Sequence, residues 1–297
     1  MDIINRLLYS PINVQMVVTR TCNLSCNYCN EFTKKPAHVP TSKLKKQITK
    51  VNDLGAFSLN FTGGEPLLHP DIFEIIKFSK KYHMRINLLT NGFLLTKESI
   101  LNLNESGLDG LQISIDGVKP NKNTKKVLKY LKNKLILLKK YAKFRVNINV
   151  VLGSTDPKEV LEVINFNNSL RFKTSLGLIH DEDGQICINE KYKKEYFKID
   201  KIRRKPFWDF HKFEKNLIEK GEQPFKCRAG GRYLYIDEFG YVNLCSQKRG
   251  LFKKPLMEYT LQDLKTRFYT YKPCSKKCTI GCVRRASSLD GERKQYV

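Results

Sequence analysis

The chain has 297 residues, 41% hydrophobic and 28% charged, enough for one large domain or two ordinary ones with a buried core, and no apolar run approaches the ~20 residues of a membrane span. Fifty-four basic against twenty-nine acidic residues leave a net charge of +25, which draws polyanions and acidic partners, but forty Lys against fourteen Arg is also a plain Lys-rich bias, so nucleic acid is not the expected partner. Residues 1–15 lack the continuous apolar core and cleavage site of a secretion signal, so the expected location is the reducing cytoplasm, where nine cysteines serve as ligands before disulfides.

Strand and helix patterns alternate from the start. Residues 12–19 (INVQMVVT) form a short Val-rich run ending in a polar loop, expected as a buried strand. Residues 43–54 place Leu44, Ile48 and Val51 on one helical stripe. A strand at 57–62, a helix at 71–82 and a strand at 85–90 follow, the two strands ending in Gly-Gly and Asn-Gly turns. The pattern continues with a helix at 96–103, a strand at 110–115, a long helix at 123–143, a strand at 144–151, a helix at 156–165 and a strand at 171–179. Six such units imply an α/β fold, a parallel sheet with helical crossovers, whose ligands gather at the carboxyl ends of the strands. Unusual clusters fall at those ends: Cys22 to Cys29, Gly63-Gly64-Glu65-Pro66, Thr90-Asn91-Gly92, and Ser114 to Gly117.

Cys22-Asn-Leu-Ser-Cys26-Asn-Tyr-Cys29 puts three thiolates within one loop. A structural zinc site and a closed iron-sulfur cubane each take four ligands, whereas a cubane held by three keeps one iron open for a cofactor or substrate. A zinc knuckle completed by a distant ligand such as His38 is the competing assignment.

The CxxxCxΦC spacing, with Tyr28 at the aromatic position, resembles the radical S-adenosylmethionine (SAM) superfamily, and so does the Gly-Gly-Glu-Pro turn at Gly63 to Pro66. The resemblance implies a partial (β/α)6 barrel whose 4Fe-4S cluster is held by Cys22, Cys26 and Cys29. It implies S-adenosyl-L-methionine against Tyr28, Gly63, Gly64, Glu65, Asn91, Ser114 and Asp116, with the glycines letting the backbone approach the methionine. Reductive cleavage of that cofactor would yield a 5′-deoxyadenosyl radical that takes hydrogen from a substrate, with the electron supplied by a flavodoxin- or ferredoxin-like donor. Relatives often carry an Arg after the SxDG turn to meet the methionine carboxylate; here none occurs before Arg145, leaving a Lys to stand in.

Cys227 and Cys245 bracket an alternating segment with a turn at Asp237 to Gly240, a hairpin with a thiolate at each end. Cys274, Cys278 and Cys282 follow. This is similar to the twitch and SPASM extensions of radical enzymes, and five cysteines imply one auxiliary 4Fe-4S cluster with one thiol left over; zinc is the alternative here too. The expected organisation is a barrel over 1–180, a bridging segment over 181–226 and a small β-hairpin-plus-helix cluster module over 227–297. Cys187, alone between them, is either a small hydrophobe or a hydrogen-atom donor of the kind used by radical epimerases.

Residues 119–145 hold ten Lys, one Arg and no carboxylate, with Lys122, Lys125, Lys129 and Lys132 at helical spacing, a solvated face or a dock for an acidic leader. Only twenty-one residues precede Cys22, too few for a fused recognition domain, so a peptide substrate implies a separate recognition protein or this surface. The leading function is oxidative modification of a ribosomally made peptide by crosslinking, dehydrogenation or epimerisation. Dehydrogenation of a small alcohol or sugar-like metabolite is the close alternative, and a basic RNA-binding or RNA-modifying protein the more distant one.

Overall fold

The computed structural model describes residues 8–31, 38–181, 184–206, 211–222 and 225–290. Six strands, β1 (Asn13–Thr19), β2 (Ser58–Gly63), β3 (Arg85–Thr90), β4 (Gly110–Ser114), β5 (Arg145–Leu152) and β6 (Lys173–Leu178), lie parallel and side by side in chain order. The crossovers between them carry α1 (Thr41–Asp53), α2 (Ile72–Ser79), α3 (Lys97–Glu105), α4 (Leu128–Tyr141) and α5 (Pro157–Ser169). Parallel neighbours need such crossovers, and helices on the outer face cover the sheet there.

The helices start where local chemistry permits. Thr96 and Ser99 form a reciprocal capping box at α3, and Asp156 accepts from the Lys158 N–H while Pro157 opens α5. Their apolar stripes, such as Leu44, Ile48 and Val51 on α1 and Leu131, Leu135 and Leu138 on α4, pack against one face of every strand.

Strict alternation decides the other face. In β5, Ile148, Val150 and Leu152 are buried under helices while Arg145, Asn147 and Asn149 point the opposite way into a cavity. β1 behaves likewise only at its start, with Val14 and Met16 in the core and Asn13 and Gln15 on the cavity; Val17 and Thr19 further along that second face are fully buried, as expected of a buried strand.

The long helix expected from 123 begins instead at Leu128. Residues 124–127 run beside the end of β4: the Asp116 N–H donates to Lys126 O at 2.7 Å, the Leu128 N–H donates to Gly117 O, and Val127 bridges Gly117. Lys122 and Lys125 therefore lie off the helix rather than on its face.

After β6 come α6 (Glu190–Ile202) and α7 (His211–Lys220), then the hairpin of β7 (Tyr233–Ile236) and β8 (Tyr241–Asn243). Asp237 closes its turn by accepting from the N–H groups of Phe239 and Tyr241. Cys245 sits just beyond β8, whereas Cys227 lies in the loop leading into β7 rather than at the strand end. β7 pairs parallel with β1, so the hairpin and the short β9 (Lys254–Pro255) extend one nine-stranded sheet of order β6-β5-β4-β3-β2-β1-β7-β8-β9. Two last helices, α8 (Leu261–Tyr269) and α9 (Gly281–Ser288), complete the fold, and α9 packs on β1 and β7. Among the described residues no helix is long and apolar enough to cross a membrane.

Candidate active site

The loop leaving β1 carries Cys22, Cys26 and Cys29, and its root is held by close backbone contact. The Gly64 N–H donates to Thr19 O and the Glu65 N–H to Thr21 O, both at 2.8 Å. A Cβ on Gly63 would meet Thr19 O at 2.0 Å, and one on Gly64 would meet Thr21 O at 2.2 Å. The two glycines are thus required for seating the β2 turn against the cysteine loop, a reason visible in the protein alone.

Arg20, almost fully buried, anchors the other side. It pairs with Glu31 at the loop exit and with Glu238 at 2.9 Å in the hairpin turn, and donates to the Tyr235 hydroxyl at 3.0 Å. Burial alone would lower its pKa, but Tyr235, Glu238 and Glu31 outweigh that and hold the guanidinium above its ordinary range. This arginine, two residues before the first cysteine, was not singled out in the sequence; a basic residue at the end of a buried strand is the signal that would have found it.

Within the loop, Cys22 Sγ accepts from the Leu24 N–H and Cys29 Sγ from the Glu31 N–H, both at 3.4 Å. Asn91 Nδ2 reaches Cys22 Sγ at 3.8 Å and Asn23 Oδ1 at 2.7 Å, tying the loop to the end of β3. Burial pushes the Cys22 and Cys29 thiols up, and each thiol feels neighbouring cysteines of the triad.

Glu65 is fully buried. Its carboxylate accepts from the N–H groups of Leu67 and Asn91 and from the Thr90 hydroxyl, clamping the ends of β2 and β3 together. Burial pushes its carboxyl up to about 6 despite those donors. Ser114 ends β4 with its side chain half-buried.

Asp116 is the centre of the opposite wall. Its Oδ2 accepts from the Tyr28 hydroxyl and from the Thr124 hydroxyl at 2.8 Å, and lies 3.5 Å from Lys126 Nζ, which also stands 4.8 Å over the Tyr28 ring. Burial would lower the Lys126 pKa, but Asp116, Tyr28 and Cys26 hold it above its ordinary value. Asp116 Oδ1 is buried and has no partner among the described residues. Lys126 and Thr124 were missed because the helix was expected to start at 123; the stretch that delivers them, held beside Asp116 and Gly117 by backbone hydrogen bonds and the bridge at Val127, is a tertiary feature.

Five further cysteines gather at the carboxyl-terminal end. Cys227 and Cys245 are buried, Cys278 bridges Gln185 by its backbone, Cys282 lies in the first turn of α9 and Cys274 in the short turn before it. Burial, then Cys227 and Cys282, push the Cys245 thiol up to about 12; burial with Cys227 and Cys245 raises Cys278 as well, and Cys227 feels Cys274. Cys187 is exposed, its N–H donating to Ile179 O on a short bridge between His180 and Ile186. His38 bridges Thr19 and its ring stands 5.5 Å from that of His69.

Among the described residues no three His, Cys, Asp or Glu side chains are gathered closely enough to hold a single metal ion. A four-iron cubane holds its thiolates farther apart than one ion does, so a mutually sensing triad of thiols suits that larger group. The unpartnered Asp116 Oδ1 beside a half-buried Tyr28 suits a hydroxylated, aromatic cofactor such as a nucleoside.

Between the strands lies a cavity of about 1420 Å³, lined by the inward-facing residues of β1 to β6, by Tyr28, and by residues of α7 and α9 including Cys282. Asn60 donates to Asn13 at 2.7 Å and Asn87 to Asn60 at 3.0 Å, an amide ladder across three strands. The period-2 polar positions in the strands were the sequence signal for this wall.

A partial parallel barrel with a three-thiol loop over its carboxyl end defines a class of cofactor-dependent enzymes. The model of the Radical SAM superfamily matches residues 16–167, just over half of the chain, and the protein belongs to that superfamily, an enzyme family whose chemistry implies S-adenosylmethionine and a 4Fe-4S cluster. The chain is similar to the PqqA peptide cyclase of Gluconobacter oxydans (strain 621H), 32% identical over 111 residues, a match that covers 36% of this chain and 31% of that protein. In fold it is similar to Streptococcus suis SuiB bound to its precursor peptide SuiA, with a TM-score of 0.68 and 16% identity over 97% of this chain and 74% of that one. It is also similar to anSMEcpe with bound AdoMet, with a TM-score of 0.66 and 19% identity over 93% and 88% of the two chains. The matched segment thus spans less than a third of the first of these relatives.

Proposed function

We propose that this radical SAM enzyme oxidatively modifies a ribosomally made peptide. The observation that carries the reading is the cavity: at about 1420 Å³ it exceeds the roughly 300–1000 Å³ typical of small-molecule sites, and its wall includes Tyr28 of the cysteine loop. Similarity to a peptide cyclase and to a fold that holds a precursor peptide supports the same substrate class.

When bound, the cluster and S-adenosylmethionine supply a reducing electron and the group that accepts the substrate's hydrogen atom. Cys22, Cys26 and Cys29 would hold the cluster, with Asn91 and the Leu24 and Glu31 amides fixing the sulfurs. Asp116 would accept from the cofactor's hydroxyls through its unpartnered oxygen, Tyr28 would lie beside the adenine, and Lys126 would stand where relatives place an arginine. Gly63, Gly64 and Glu65 hold the two loops in register. Net oxidation would remove two hydrogens from the peptide, one as an atom and the other as a proton with its electron. Cys227, Cys245, Cys274, Cys278 and Cys282 would hold the auxiliary 4Fe-4S centre that receives that electron, with one thiol spare. A flavodoxin- or ferredoxin-type donor and a separate recognition protein complete the expected partners, and the exposed Cys187 is kept as a candidate hydrogen donor only for an epimerising variant of the reaction.

The test is anaerobic reconstitution with iron and sulfide, then dithionite, S-adenosylmethionine and candidate peptides. Release of 5′-deoxyadenosine with peptide losing two hydrogens is expected. Iron-loaded protein that releases none, even slowly and without substrate, overturns the radical reading; release with small alcohols oxidised and every peptide unchanged overturns the peptide reading.

A further inference from the structure

The wall of the cavity is electrostatically lopsided. Its described residues include seven Arg or Lys and one carboxylate, Glu214, which is already paired with Arg284; Arg232 is likewise paired with Asp290. The cations left over are not spread evenly. Arg85, Arg145 and Lys173 occupy the first positions of β3, β5 and β6, each facing the cavity by strand alternation. Arg171, two residues before Lys173, joins them from the turn after α5, where it holds a left-handed backbone conformation with φ of 60°.

Among the described residues none of these four side chains forms an ion pair or hydrogen bond. Arg145 and Lys173 are exposed, as is Arg171, so they rim the mouth of the cavity at the amino ends of the strands, opposite the cysteine loop. Beyond that rim the wall is neutral: apolar side chains such as Leu89, Leu111 and Val151 make up most of it, with the Asn13, Asn60 and Asn87 ladder, Gln112, Asn147 and Asn149 set among them.

We infer that the amino-end mouth is a specificity site for acidic side chains, and that the substrate is a peptide segment carrying Asp or Glu that enters the cavity from this end. The inference rests on the peptide reading above and names the substrate's chemistry. Four unpaired cations around one opening raise the local concentration of carboxylates and disfavour basic segments. Guanidinium groups bind carboxylates through two parallel hydrogen bonds. The side-chain amides further in offer both donors and acceptors, which suit the N–H and C=O groups of an extended peptide backbone. A wide passage lined this way accepts a chain with its acidic side chains at the rim while a neighbouring residue advances toward Tyr28.

The test uses the anaerobically reconstituted holoenzyme and fluorescence anisotropy with three labelled Gly/Ser decapeptides in which four positions are Glu, Gln or Lys. The Glu peptide is expected to bind about tenfold or more tightly than the Gln peptide at moderate salt, and the Lys peptide to bind weakest. The variant Arg145→Gln/Arg171→Gln should lose about tenfold for the Glu peptide alone. Lys139→Gln/Lys140→Gln, which removes the same charge from the exposed end of α4, should change binding by less than about twofold. Equal affinity for Glu and Gln peptides, equal losses in both double variants, or tighter binding of a ten-nucleotide RNA that displaces the Glu peptide would each overturn the assignment. Release of 5′-deoxyadenosine without substrate, measured in the same preparation, separates this failure from failure of the radical reading.

Discussion

The two cysteine groups differ in how the protein encloses them. The loop bearing Cys22, Cys26 and Cys29 lies at the rim of the sheet, with two of its three thiols partly exposed and sulfurs held mainly by backbone N–H groups and Asn91. Of the carboxyl-terminal group, Cys227 and Cys245 are buried in a small core with Tyr233, Tyr235, Val283 and Ala286 and Cys282 packs against it, while Cys274 and Cys278 stay partly exposed. Burial raises thiols in both places, but the second group carries the heavier burial. The contrast fits the proposed division of labour: a site that would admit a cofactor and a substrate stays open on one side, while one that would only exchange electrons is anchored by two buried thiols.

The sharpest way to break that contrast is to remove a thiol from each group. Cys22→Ala, Cys26→Ala or Cys29→Ala should abolish 5′-deoxyadenosine release and lower iron by about four per chain, while the melting temperature of the iron-free protein barely moves. Cys245→Ala should also lower iron by about four, but the reconstituted protein should lose several degrees of melting temperature, because metal binding at an enclosed site is coupled to folding. Equal stability losses in the two groups would show that both are structural.

Asp116→Asn addresses the cofactor wall. It leaves Lys126 without its counter-charge and takes a full negative charge from beside Tyr28 and Thr124. S-adenosylmethionine binding should weaken about tenfold, and Tyr28→Phe, which removes only the hydroxyl, should cost less, about threefold. Calorimetric titration would show whether the order holds.

Glu65 is read through pH rather than through binding. Its carboxyl holds its proton more tightly in the fold, at about 6, than its ordinary value of 4.5, so its contribution to stability declines as pH rises from 4.5 to 6 and is level above that. The span is worth about 2 kcal/mol. Glu65→Gln should flatten the slope of unfolding free energy over that window, measured by urea titration at several pH values; an unchanged slope would place the titration elsewhere.

Much of the site was legible because its chemistry is local. Three cysteines in eight residues, a Gly-Gly-Glu-Pro turn and an aromatic at a set spacing lie on single loops, and the strand-helix alternation that places those loops at one end of a sheet follows from periodicity. Arg20, Thr124 and Lys126 were not legible: Arg20 matters through Glu238, more than two hundred residues on, and the other two through Asp116, which they meet only because residues 124–127 fold back beside Asp116 and Gly117 instead of starting the helix.

By itself the sequence determined the α/β alternation, the clustering of ligands at strand ends and the family, because dihedral preference, apolar period and motif spacing act over a few residues. Only the tertiary structure decided that β7 would join β1 in the same sheet, that alternate strand residues would line one cavity, and that four cations would meet at its mouth. Those outcomes depend on which distant segments share a face, and pairing across tens of residues is settled by the packing of the whole sheet.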